Sequence, residues 1–93
     1  MLKKRVEEIL NEQLNREFYS AYLYLSMSAY FDSTDLPGFA HHMKVQYQEE
    51  MAHAIRIFNY LSNVGGRVEL KAIAQPKNVW NGIIEVFEET HKH

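Results

Sequence analysis

The sequence predicts an all-α protein, helices packed as a four-helix bundle or part of one, and three observations carry that expectation. Apolar residues recur in steps of three and four along two long stretches. Glycine and proline number only four and two in 93 residues, so little interrupts those stretches. In the second stretch the steps alternate four and three, an average of about three and a half, which is the spacing of knobs-into-holes packing between helices.

The first helix is expected over about residues 3–32. Val6, Leu10, Gln13, Glu17, Ser20, Tyr24, Met27 and Phe31 form its stripe, with Leu14, Ala21 and Ser28 beside it. Ser33, Thr34 and Asp35 then favour a turn, and Thr34 or Asp35 is a candidate cap for the next helix, with Pro37 suited to its first turn. The second helix is expected over about 36–64, with the stripe Phe39, Met43, Gln46, Glu50, His53, Ile57, Tyr60 (with Leu61) and Val64. Gly65 and Gly66 suit a left-handed helix end. Residues 65–77 read as a connector, apolar at Val68, Leu70 and Ile73 and interrupted by Pro76. A third helix is expected from about 79, capped by Asn78, with Val79, Trp80, Ile83, Ile84 and Phe87 on its apolar face. The whole, residues 1–93, reads as one partial domain whose two long helices and stub leave a face uncovered, so association with itself or with a further half is expected.

Composition narrows the function. Apolar types make up 46% and charged types 24%, which fits a folded chain rather than a disordered one. A net charge of -2 without a basic block gives no electrostatic case for nucleic acid or an anionic membrane. The absence of cysteine excludes disulfides, thiolate metal sites and cysteine nucleophiles. No apolar run approaches the ~20 residues of a membrane span, and Met1-Leu-Lys-Lys-Arg5 leads into Val-Glu-Glu with no apolar core of a signal peptide, so a cytoplasmic protein is expected.

The informative residues are those that break the apolar pattern. Glu17, Glu50 and His53 stand at stripe positions, where an unpartnered carboxylate is costly. Glu50 and His53 form Glu-x-x-His, which points both side chains the same way one turn apart. Counting outward from the turn at Thr34 and Asp35 brings Glu17 level with that pair, within about one helical turn. A Glu from one helix with Glu-x-x-His from its neighbour, supplied twice, is the ligand set of di-iron carboxylate bundles. Carboxylates with imidazole suit iron, manganese or zinc. The bland alternative is a hydrogen-bonded Glu–His pair with Glu17 satisfied by tyrosines. Two copies pairing about a dyad would supply the set twice from this chain alone.

Other residues carry two readings each. Glu49 faces about a quarter turn from Glu50 and is either an outlying metal ligand or a solvated carboxylate. Tyr24, two turns after Glu17, is either a hydrogen-bond donor and electron source beside the metals or an ordinary core tyrosine. Gln13 and Gln46 are expected to bond to backbone or to each other. His41 and His42 are adjacent and so cannot share a face; with His91 and His93 they read as solvated. Met51 reads as packing rather than as a haem ligand.

Taken together, Asn11-Glu-Gln-Leu-Asn-Arg-Glu17, Tyr22-Leu-Tyr-Leu-Ser-Met27, Pro37-Gly-Phe39, Gln48-Glu-Glu-Met-Ala-His53, Gly65-Gly-Arg-Val-Glu-Leu70 and Trp80-Asn81 resemble bacterial and archaeal non-haem ferritin over the whole chain. The resemblance implies a ferritin-like four-helix bundle, here its helices A and B, the long crossover and the start of helix C. It implies subunits assembled into a 24-subunit shell, a ferroxidase reaction of Fe(II) with dioxygen or peroxide, and storage of Fe(III) mineral. It makes Glu17, Glu50 and His53 ligands of the first iron, with Glu50 bridging to the second, Glu49 a ligand of an outlying third iron, and Tyr24 the tyrosine beside the centre. Met51 aligns with the haem methionine of bacterioferritin, but its surroundings resemble the non-haem branch, so no haem is expected. The family subunit is nearly twice as long, and its ligands from the third and fourth helices have no counterpart here. A non-catalytic self-associating hairpin, or another di-iron oxidase or peroxidase of the ferritin-like class, are the rival readings.

Overall fold

The computed structural model describes residues 2–92. Helix α1 spans Lys4–Ser33, α2 spans Pro37–Asn63 and α3 spans Ile83–His91. A three-residue turn makes α1 and α2 antiparallel neighbours along their length. Asp35 takes a left-handed backbone with φ of 59° at this turn. Thr34 does not cap α2: its hydroxyl donates back to Tyr30 O at 3.1 Å and Phe31 O at 3.3 Å, closing the end of α1 instead. Pro37 opens α2 at a position that needs no N–H partner.

The far end of α2 closes as a Schellman motif. Gly65, at φ 75°, donates its N–H to Ser62 O at 3.3 Å, and Gly66 donates to Leu61 O at 2.8 Å. Both bonds satisfy carbonyls that the helix leaves free.

The apolar members of the expected stripes at the turn end, Tyr24, Met27, Phe31 and Met43, are buried, and burial extends to the residues beside the stripes. Leu14, Ala21 and Ser28, seven residues apart on α1, are buried, as are Ala40, Ala54 and Leu61 on α2 with Tyr47 half-buried between them. Ser28 Oγ donates to Ala40 O at 2.7 Å, which small side chains on both sides allow. The stripe through Gln13, Glu17 and Ser20, with Gln46, Glu50 and His53, lies one position round. It is only partly covered, and Phe39 and Tyr60 are exposed at 40% and 51%.

The third helix also departs from expectation. Its first residue is Ile83, and Val79 and Trp80 precede it outside any helix. Gly82, at φ 155°, is the residue before it. Trp80 is inserted into the core from this irregular segment, with Lys77 Nζ over its ring at 5.1 Å and Lys77 paired with Glu85 on α3. From Ile83 the helix lies against the turn end of the open stripe. Thr90 Oγ1 contacts Met27 Sδ at 3.7 Å, and Phe87 meets Phe31 and Phe39 at ring separations of 6.1 and 5.5 Å.

The connector is held by two amides that the sequence pattern does not mark. Asn11, 4% exposed, donates to Glu7 O (3.1 Å) and Arg67 O (2.9 Å) and accepts from Glu69 N (2.8 Å). Asn15 donates to Asn11 O (2.8 Å) and Glu69 O (3.0 Å) and accepts from Lys71 N (2.9 Å). Replacing Asn11 with Ala removes three bonds at a buried site and is expected to cost about 2–3 kcal/mol in denaturant unfolding. Asn15→Ala, nearer solvent, is expected to cost about 1 kcal/mol.

Candidate metal centre

Two apolar clusters bracket a polar belt. Leu23, Tyr24, Met27, Phe31, Ala40, Met43, Trp80 and Val86 form one; Leu14, Ala54 and Leu61 form the other. Between them on the open stripe stand Glu17, Glu50 and His53. One donor atom from each lies within 4.8 Å of the others. His53 Nδ1 is 3.8 Å from Glu17 Oε2 and 3.7 Å from Glu50 Oε2. The expected registry therefore brings all three groups to one height.

Their burial is not uniform. The carboxylates are largely covered, at 17% and 19% exposure, whereas the His53 side chain is 47% exposed. The sequence places all three in an oily interior. In this chain they line the floor of an open cavity of about 530 Å³, with Gln13, Arg16, Tyr19, Ser20 and Lys92 around it. His53 is the most open of the three, although its Nδ1 faces a carboxylate on each helix.

The electrostatics follow from this packing. Burial raises the Glu50 carboxyl from 4.5 to about 7, helped by its hydrogen bond to Glu17 and the Glu17 charge, and opposed by His53. The Glu50 carboxyl thus keeps its proton up towards neutrality. Gln13 Nε2 donates to Glu17 Oε1 at 2.7 Å and so fixes the orientation of that carboxylate; its partner is not Gln46. Burial raises the Tyr24 phenol as well, followed by the charges of Glu50 and Glu49, which keeps it a protonated donor within reach of both fields.

The remaining candidates sit apart. Glu49 is exposed on the neighbouring face of α2, and Met51 is half-buried. His41, His42 and His91 are exposed, and His93 lies outside the described residues. Arg16 and Lys92 are the rim residues that sequence reasoning missed. Arg16 precedes Glu17 directly, a signal that was available. Lys92 reaches the rim only because α3 docks where it does.

No second copy is present to test pairing of two copies through this belt. The turn end of the open stripe is covered by α3 through Phe87 and Thr90, with Lys92 at the cavity rim. The donor set itself, two carboxylates and one imidazole within 4.8 Å, suits a hard divalent or trivalent transition ion with positions left open.

Comparison with known proteins agrees with the all-helical fold. A profile of the ferritin-like domain matches residues 7–93. The bacterial non-heme ferritin of Campylobacter jejuni is 39% identical over 93 residues, all of this chain and 56% of that relative. The bacterial non-heme ferritin of Bacteroides fragilis is 40% identical over 93 residues, 58% of its length. A closed form of the Archaeoglobus fulgidus ferritin, engineered by mutagenesis, superposes with a TM-score of 0.95 at 46% identity, covering 99% of this chain and 56% of that one. The open-pore ferritin of the same archaeon superposes with a TM-score of 0.94 at 46% identity, covering 98% and 56%. The chain thus spans little more than half the length of the relatives it matches.

Proposed function

The chain belongs to the ferritin family, and we propose that it is the part of a ferritin subunit that binds and oxidises Fe(II) on the way to storage as Fe(III) mineral. The observation that carries this reading is the convergence of Glu17, Glu50 and His53 within 4.8 Å on one polar belt. No other group of three acidic or histidine donors of this kind is found among the described residues.

Each residue has a role in the proposal. Glu17 and His53 hold the first Fe(II), and Glu50 bridges it to a second, whose other ligands come from the part of the family subunit that this chain does not span. Gln13 holds Glu17 in place for binding. Tyr24 donates a hydrogen bond or an electron beside the pair, and Glu49 feeds iron to the site or drains it. Two Fe(II) ions lose one electron each, enough to take dioxygen to hydrogen peroxide or hydrogen peroxide to water. Carboxylate oxygens favour the harder ferric product and so help drive the oxidation. The Fe(III) then passes to mineral inside a shell of copies, 24 in the family pattern. Haem has no part in this reading. A cytoplasmic location is part of it, and no helix among the described residues is long and apolar enough to cross a membrane.

The proton on Glu50 sets the pH dependence. Iron has to displace it, so Fe(II) affinity is expected to fall by about tenfold per pH unit below about 7 and to level off above that value. In the metal-free protein the raised carboxyl contributes stability that is full below 4.5 and lost as the pH rises to about 7. Anaerobic titration with Fe(II) or Co(II) at pH 6, 7 and 8 measures the first effect. A flat affinity across that range would show that no proton is displaced. Native mass spectrometry with and without anaerobic Fe(II) tests the reading as a whole: protein that takes up no iron would overturn it.

A further inference from the structure

Trp80 and α3 are each seated against the core, and the two residues that join them are open to attack. Trp80 is 6% exposed, Asn81 is exposed and outside any helix, and Gly82 immediately precedes Ile83, the first residue of α3. Gly82 has φ 155° and ψ 177°, a region that residues with a side chain enter only under strain. Nothing stands within 4 Å of the place a Cβ would take on it. Its N–H has no hydrogen-bond partner among the described residues. Asn81 is therefore followed by a backbone nitrogen that is neither engaged nor shielded. The other asparagines differ on both counts. Asn11, Asn15, Asn59 and Asn63 lie in helices, and the residue after each carries a side chain. Asn78 is exposed in the connector, but the β-branched Val79 follows it.

We propose that Asn81 and Gly82 are a site of self-modification: they close to a succinimide that opens to aspartate or isoaspartate and releases α3. The Gly82 nitrogen loses its proton to solvent and bonds to Asn81 Cγ, and the Cγ–Nδ2 bond breaks. Nδ2 leaves as ammonia, taking up a proton in exchange. Water then adds to one of the two ring carbonyls. Opening at Cγ gives aspartate; opening at the Asn81 backbone carbonyl gives isoaspartate, in which the main chain runs through Cγ. Nothing is oxidised or reduced: one water enters and one ammonia leaves. A single side-chain contact restrains the closure. Asn81 Nδ2 donates to Glu85 Oε2 at 2.9 Å, and Lys77 pairs with the same carboxylate. That bond holds the amide against α3 while the helix is seated. The products undo the arrangement. Aspartate at position 81 replaces the donor with a second carboxylate beside Glu85. Isoaspartate lengthens the main chain by one atom between the buried Trp80 and Ile83, so the two no longer seat together. The modification does not depend on the iron chemistry.

The test incubates the full chain in mildly alkaline buffer and maps its peptides by mass spectrometry, with enzymatic methylation to mark isoaspartate. Conversion of amide to acid is expected to run at least about tenfold faster at Asn81 than at Asn78, a barrier lower by about 1.4 kcal/mol. Glu85→Ala frees the Asn81 amide and is expected to speed conversion by about fivefold, the effect of losing one exposed hydrogen bond. Hydrogen exchange then reads the consequence. The fraction carrying isoaspartate is expected to lose amide protection over Ile83–His91. Asn81→Asp brings the charge without the longer main chain and is expected to keep most of that protection. No conversion at Asn81, conversion at Asn78 as fast as at Asn81, E85A no faster than the parent, or isoaspartate protein protected like fresh protein would each overturn the proposal.

Discussion

Glu50→Ala is expected to abolish rapid Fe(II) oxidation in the assembled protein, with a fall of at least about a hundredfold in the initial rate. Glu50 is the group that both others meet. It hydrogen-bonds Glu17, and its Oε2 lies 3.7 Å from His53 Nδ1. Removing it takes away the oxygen proposed to bridge the two irons and leaves Glu17 and His53 on different helices with no shared partner. Changes to residues that only support a ligand already cost about 10- to 100-fold, so the loss of the central ligand sets the upper end of that range as a floor. Stopped-flow absorbance on mixing Fe(II) with aerated protein measures the rate, and circular dichroism confirms that the helices persist. Glu49→Ala is the control, because Glu49 is exposed on the adjacent face. It is expected to keep the first rapid phase and slow later turnovers. A Glu50→Ala protein that oxidises iron at the parent rate would remove the belt from the reaction.

The long helices and the height of the belt were legible because both depend on periodicity within one element and on the length of one turn. What packs against what was not legible to the same degree. The sequence marks the ligand stripe as the helix–helix seam, since Tyr24, Met27 and Phe31 outweigh their neighbours in hydrophobicity. Ala21, Ser28, Ala40 and Ala54 are buried as well, and their small side chains give a weak apolar signal in sequence. Trp80 reads as helical on its apolar character, whereas Gly82, with φ of 155°, lies between it and the first helical residue. Asn11 and Asn15 look like outer-face polar residues in sequence. Their partners stand more than fifty residues away, at a separation that no local pattern encodes.

Phe31→Ala is expected to lower the unfolding free energy by about 3–5 kcal/mol and to release α3. Phe31 is fully buried, with the rings of Tyr30, Phe39 and Phe87 at 5.4, 5.3 and 6.1 Å. It is the residue common to α1, the start of α2 and α3. A nine-residue helix has too few turns to persist without tertiary contacts, so α3 depends on the surface that Phe31 and Met27 offer it. Phe39→Ala makes the useful comparison. That ring is 40% exposed, so less apolar surface is lost, and about 1–2 kcal/mol is expected. Chemical denaturation gives the two costs, and amide hydrogen exchange shows where they fall. Protection is expected to collapse over Ile83–His91 and to hold at the other end of the hairpin, where Leu14, Ala54 and Leu61 form their own cluster. Release of α3 also withdraws Lys92 from the cavity rim, so the belt becomes more open to solvent. A loss below about 1 kcal/mol, or an even decline in protection along the whole chain, would show that α3 is not seated through Phe31.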